Sequence, residues 1–453
     1  MKRSLKYLAA AALLPIPGFC TAAELALTPE SYRDLALKNN SGLRQVRFEA
    51  QAAEQSAKAA FTHYFPNLSA AGLAANTNIL PNSALTMPII PAALNGENNV
   101  ALSMITIQQP LFAGGRIHNG NRLARAGRDA AALQLRLSQD GVITGAERKY
   151  RTLRVLAQKK KTLEAYAALL DALSAQVEQA FSSGLVTKTD VLRVNLKKAE
   201  VAVNRSILDK SMARAEKDVK LFADIPQDTE ITLPDVAEDI SEPSERIEDL
   251  PASLSQRPEY KLLEIGARAA NLQTKMKRGE YLPVIGVGAS LYRVDYFKGG
   301  DQRFQNSAAF GLINMPLSSW WEASHSIKEM RLKEAAAADR LKERGDSLLV
   351  DLEDKLKNYD EAYQRVKLAE LAVEESAANR SEKQDGYKNG TEKLSDLLEA
   401  LALEQQSADS LVSARADYFR KRAEFLLAIG RFPPRGEKTA QGEPNAPEAK
   451  QDD

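Results

Sequence analysis

Two stretches of this chain, FSSGLVTKTDVLRV and YKNGTEKLSDLLEA, share one frame 206 positions apart: Phe181, Gly184 and Asp190 in the first stand where Tyr387, Gly390 and Asp396 stand in the second. Each interrupts a region rich in Ala, Leu, Glu, Lys and Arg with a glycine, the residue that most readily turns a helix back. The same 206-residue offset joins Pro110-Leu111 to Pro316-Leu317, and offsets of similar size join HYFPNLSAAG (Pro66) to EYLPVIGVGA (Pro283) and LTPESYRDLAL to SQRPEYKLLEI. The last pair each carry a Pro-Glu suited to the first turn of a helix. The chain is thus a tandem duplication, with repeats at 24–223 and 257–430.

Each repeat reads helix, strand, strand, very long helix, turn, long helix. No proline occurs from His118 to Ala180. Apolar residues there follow a 4-3-4-3 spacing at Tyr166, Leu170, Leu173, Val177 and Ala180. The second repeat keeps the rhythm at Leu352, Leu356, Tyr359, Tyr363, Val366 and Val373, and the return helices carry it at Leu192, Leu196, Ala199 and Val203 and at Leu394, Leu398, Leu401, Ala408 and Val412. These are coiled-coil seams. A helix of that length, ~95 Å at 1.5 Å per residue, must pack lengthwise against its return partner and its neighbours. Strands are expected over Leu68–Asn78, Val100–Phe112, Val284–Phe297 and Phe304–Leu317. Their length suits a tilted strand crossing a bilayer.

The N-terminus, MKRSLKYLAAAALLPIPGFCTAAE, has a basic start, a short apolar stretch and a small-residue cleavage site, so residues 1–23 read as a secretory signal peptide. Cleavage removes three basic residues and the single cysteine, Cys20, taking the formal charge from +1 to −2. The alternative, Cys20 as an acylated anchor, meets a bulky Phe19 where a small residue belongs. A mature chain without cysteine has no disulfides and depends on packing or assembly. Near-balanced charge argues against a nucleic-acid partner. Beyond the leader no run of 18 apolar residues occurs, so any membrane contact is through a β-barrel or at the surface. Residues 224–256 contain an acidic, proline-bearing linker, and 431–453 have the composition of a disordered tail.

Enzyme chemistry finds no foothold. His63, His118 and His325 lie far apart without metal-ligand spacing. Gly286-Val287-Gly288 sits in an expected strand, and Gly114-Gly115 reads as a flexible strand-to-helix joint, since no nucleotide fingerprint surrounds it. No catalytic, cofactor or metal site is expected. What remains is a pair of carboxylates, Asp396 and Glu399, spaced i, i+3 on one side of the helix after the second turn. In a solitary helix this is a solvated acidic face. In a symmetric oligomer it repeats as a ring that favours cations.

In these features the sequence resembles the TolC family of outer-membrane efflux channels. The likeness covers the mature chain to Gly430 and rests on the FPNL and LPVIG strand starts, the PLFAGGR strand end and the paired turns, in that order and spacing. The resemblance implies a mixed, mainly α fold: a homotrimer whose protomers each give four strands to one shared twelve-stranded barrel, continued by a periplasmic tunnel of coiled helices. It implies an exit duct of a tripartite efflux or type I secretion system in a Gram-negative outer membrane, in contact with its lipid. The partners would be a periplasmic adaptor (membrane-fusion) protein and an inner-membrane pump of RND, ABC or MFS type. By the same resemblance Gly184, Leu185, Gly390 and Thr391 are adaptor-docking tips, Asp396 and Glu399 a constriction ring, and Tyr387 and Asp190 a hydrogen-bonded tip lock. Glu392 departs from the pattern, because better-known members carry an arginine there that bonds a neighbouring protomer, and Lys393 is not an obvious substitute. The reading from another class is a periplasmic coiled-coil scaffold or adaptor without a channel.

Overall fold

The computed structural model describes residues 24–76, 99–234, 238–243, 250–296 and 302–431. The expected signal peptide, Cys20, the tail after Arg431 and the loop between the first two strands lie outside these residues.

Strand β1 (Glu24–Ala26) leads into helices α1 (Pro29–Asn39) and α2 (Ser41–Phe61). Next come β2 (Asn67–Asn76), β3 (Asn99–Ala113), the 67-residue α3 (Arg116–Ser182) and α4 (Lys188–Phe222). After β4 (Glu230–Thr232) and α5 (Leu250–Gln256), the plan repeats as α6 (Pro258–Glu280), β5 (Val284–Tyr296), β6 (Gln302–Asn314), the 69-residue α7 (Trp320–Lys388) and α8 (Leu394–Ala428). Helices α1 and α6 both open on their Pro-Glu, where a missing N–H costs nothing and an acidic side chain meets the positive end of the helix.

Four helices end in one backbone device. At α3, Gly184 (φ 74°) donates to the Phe181 carbonyl and Leu185 to that of Ala180; at α7, Gly390 (φ 76°) donates to Tyr387 and Thr391 to Gly386. The ends of α4 and α8 repeat it at Asp224 (φ 53°) and Gly430 (φ 71°). This pairing caps the last carbonyls and needs a left-handed residue, which glycine supplies without steric cost. Asp224 is the exception, a short polar side chain of the kind that tolerates this conformation.

The seam of α3 is buried as its spacing predicts: Tyr166, Leu170, Leu173 and Val177 pack with Leu394, Leu398 and Leu401 of α8. The α4 seam is different. Val194 and Val201 enter that core, whereas Leu192, Leu196 and Val203 are 58%, 70% and 59% exposed and Ala199 is exposed too. The expected stripe exists but faces away from its own protomer. In the second repeat Tyr359 and Val366 of α7 meet Tyr418 and Phe425 of α8, with the Tyr359 ring stacked on Phe425 at 5.8 Å.

Strands β2, β3, β5 and β6 form one antiparallel sheet in that order, with the outer edges of β2 and β6 unpaired among the described residues. Pro110, which cannot donate to a ladder, lies at a bulge where the β3–β5 pairing skips Leu111. The fourth strand stops at Asn314 rather than running to Leu317, because Pro316 turns the backbone (φ −83°, ψ 68°) into a short 3-10 turn, Leu317–Ser319. The joint at Gly114-Gly115, expected as a flexible link, is closely packed against the end of α6. Both residues have positive φ, and a Cβ on Gly114 would lie 2.2 Å from the Gly279 carbonyl oxygen, so strand end and α6 end meet backbone to backbone. The corresponding joint of the second repeat is Trp320-Trp321, where the Trp320 indole N–H donates to the Tyr281 carbonyl at 2.9 Å.

The linker is fastened to the helices. β4 pairs parallel with β1, and Glu238 reaches both Arg151, which is itself held by Glu147, and Arg154. The Arg151 guanidinium stacks 4.1 Å from the Phe419 ring centroid, and Tyr418 donates to the Ser241 carbonyl at 2.7 Å.

Candidate functional site: the paired helical tips

The two turns belong to one assembly, because the α3–α8 core described above ends against them: Val186 and Val191 of the first turn and Tyr387 of the second pack on the same cluster. Leu185 projects from the first turn, 79% exposed, while Gly184 and Gly390 have open space around the position of a Cβ. Thr391 instead turns its hydroxyl inward, donating to the Gly386 carbonyl at 3.0 Å.

Asp190 and Asp396 occupy the same position, the third residue of their helices, and meet different fates. Before α4 stands Thr187, whose backbone N–H and hydroxyl both donate to the Asp190 carboxylate at 3.1 and 2.7 Å. This is half of a capping box, so Asp190 is taken up by its own turn. Before α8 stands Lys393, which has no hydroxyl, and Asp396 is left with a bond from Ser395 at 2.9 Å. Asp396 is half-buried and Glu399, one turn on, is exposed. The duplication therefore yields one structural aspartate and one whose charge faces outward from the cap.

Tyr387 lies close enough to Asp190 to feel its charge. Burial pushes the phenol pKa up and the neighbouring carboxylate adds to it. Among the described residues no Tyr387–Asp190 hydrogen bond forms within the chain; Asp190 is bonded to Thr187 and lies 3.8 Å from Arg193.

Glu392 has a partner that sequence spacing did not reveal. Lys383, nine residues upstream on α7, donates to its carboxylate at 2.8 Å. The ammonium pKa is raised, first by that hydrogen bond and then by the charges of Glu392, Asp396 and Glu382. The turn folds this way because residue 386 is glycine: a Cβ there would meet Glu392 Cγ at 2.4 Å. A helical glycine four residues before the turn glycine was the one available signal. Further up the hairpin, Arg380 pairs with Glu404 at 2.9 Å, tying α7 to α8.

Residues 32–219 match the family model for outer membrane efflux proteins. The outer membrane efflux protein BepC of Brucella suis is 24% identical over 232 residues, which span half of this chain and about half (49%) of that protein. The whole fold superposes on the Campylobacter jejuni outer membrane channel CmeC (TM-score 0.77, 15% identity, 96% of this chain and 95% of that one). It matches the Vibrio cholerae outer membrane protein VceC (0.76, 16%, 89% and 96%) and the outer-membrane channel OprN (0.76, 17%, 89% and 90%) to a similar degree. The first repeat is thus similar in sequence to outer membrane efflux proteins, and the whole chain shares the fold of these solved outer-membrane channels. The chain spans about half the length of the curated relative it matches, and its fold is that of solved outer-membrane channels.

Proposed function

We propose that three copies of this chain form a passive exit duct of a tripartite efflux or secretion system. The observation that carries the reading is the sheet: four strands with two edges unpaired among the described residues, continued through short joints into helices ~100 Å long. Open edges on a membrane sheet must be paired, and copies joined β6 to β2 close the barrel without residual edges. The exposed α4 stripe of Leu192, Leu196 and Val203 supports the same assembly, as an apolar helix face awaiting a neighbour. Six tips then surround one periplasmic aperture. Gly184, Leu185, Gly390 and Thr391 are the docking points for an adaptor protein, which links the duct to an inner-membrane pump of RND, ABC or MFS type.

In this reading Asp396 and Glu399 form the acidic constriction and Tyr387 and Asp190 flank it. Glu392 closes on its own Lys383, so this turn is braced within the protomer where relatives with arginine are braced between protomers. The test is single-channel recording in planar bilayers. Replacing Asp396 and Glu399 with Ala should lower cation selectivity and relieve block by multivalent cations; an unchanged response removes the ring. Failure to recover detergent-dependent, conducting protein from membranes would overturn the duct itself.

A further inference from the structure

The four strands contain three charged side chains among their described residues, Arg293, Asp295 and Arg303, and all three cluster at one place. The Arg293 guanidinium forks onto Asp295, with Nε 2.9 Å from Oδ2 and Nη2 2.9 Å from Oδ1. Arg303 on the adjacent strand brings its Nε to 3.6 Å from the same Oδ1. One carboxylate thus stands against two guanidiniums, and among the described residues neither Nη1 of Arg293 nor Arg303 makes a hydrogen bond to it. The cluster keeps a net charge of +1.

Its face and height are defined by the sheet. Residues 285, 287 and 291 of β5 alternate onto the Arg293 face, and register brings Ile105 and Ile107 of β3 and Ile313 of β6 onto it. The middle of this face is largely apolar, whereas the other carries Ser69, Thr106, Gln108, Ser290 and Asn306 there, beside exposed Leu73, Met104, Phe304 and Leu312 and buried Val294. The Arg293 face, without those polar groups in its middle, is the one suited to lipid. From Val284, next to the helices, to Arg293 is nine steps, ~30 Å along the strand and roughly 23 Å along the axis at a tilt of ~40°. That nearly equals the ~25 Å apolar band of an outer-membrane barrel. The three charges thus stand where the hydrocarbon ends, at the end away from the helices, with Ser103 and Gln305 beside Arg293 in register.

The geometry points to a binding site for the phosphorylated headgroup of an outer-leaflet lipid, formed by Arg293 and Arg303 and organised by Asp295. Guanidiniums bind phosphate by paired, charge-assisted bonds, and their weak hydration suits a partly desolvated interface. Asp295 holds the two cations at a spacing that repulsion alone would not keep. The inference rests on the proposed duct only in requiring that the barrel sit in an outer membrane.

The test uses the detergent-purified full chain, incubated with micelles doped with bisphosphorylated lipid A or its dephosphorylated analogue, then passed through size exclusion and assayed for retained lipid. Wild type should retain the phosphorylated lipid preferentially. R303Q leaves the Arg293–Asp295 fork intact and should weaken retention by about tenfold, the scale of one charge-assisted bond pair. R293Q/R303Q should abolish the preference. Equal retention of both lipids by wild type, undiminished preference in the double variant, or full displacement by inorganic phosphate at matched concentration would each overturn the site. Conductance measured on the same samples separates this failure from failure of the duct, since a conducting channel without the preference loses only the lipid site.

Discussion

Three glycines at the barrel-to-helix joint separate two physical costs that are usually mixed. Gly115 has φ 73° and a Cβ there would meet only Asn119 Nδ2, at an ordinary 3.5 Å. Gly279 needs no positive φ, but its Cβ would sit 2.4 Å from the Gly114 carbonyl oxygen. Gly114 combines both, with φ 61° and a Cβ 2.2 Å from the Gly279 oxygen. Alanine at 115 should therefore cost the left-handed backbone term alone, ~1–2 kcal/mol per protomer. Alanine at 279 should cost the overpacking term alone, ~1–3 kcal/mol, because backbone rather than a flexible side chain must yield. Alanine at 114 should approach the sum, ~2–5 kcal/mol. The assay is denaturant-induced loss of the folded oligomer in detergent, comparing midpoints at fixed protein concentration. If the 114 variant were no worse than the 115 variant, or the 279 variant were neutral, the close approach of strand end and helix end would be refuted.

Two further outcomes concern single charges on α7 and α8. Asp409 has one carboxylate oxygen buried without a partner, and burial raises its pKa despite the nearby Lys159 and a bond from Gln405. A raised folded pKa means that the native state holds the proton more tightly, so stability falls as pH rises above the usual 3.8. Replacement by Asn should then raise the melting temperature at pH 7.5, with the gain fading towards pH 4; a pH-independent change would show that the charge is not the cause. At the second tip, K383E or E392K alone should increase open-channel events in planar bilayers, and the double exchange should return them towards wild type. Two independent, additive effects would show that the pair does not brace the turn.

Much of this was legible because it is encoded locally. The helix breaks at Gly184 and Gly390 announce themselves by residue type, since the capping backbone demands a left-handed residue whatever surrounds it. The α3 seam is likewise a property of helical spacing, and Tyr166, Leu170 and Leu173 are buried where it places them. Strand ends are less sharply encoded: the pattern carries the fourth strand to Leu317, but Pro316 ends it at Asn314.

What the sequence by itself determined is the architecture: a duplicated plan of long hairpins and membrane-length strands, fixed by proline, glycine and apolar periodicity, all of which act within a few residues along the chain. Tertiary structure alone decided which faces and partners those elements take. Periodicity marks Leu192, Leu196 and Val203 as a seam but is silent on whether it faces its own protomer, because 4-3 spacing carries no address. The Lys383–Glu392 bond, the Gly114–Gly279 contact and the Arg293–Asp295–Arg303 cluster depend on chain reversal, domain-long packing and strand register. Those are set by the whole fold, and no local spacing rule reaches across them.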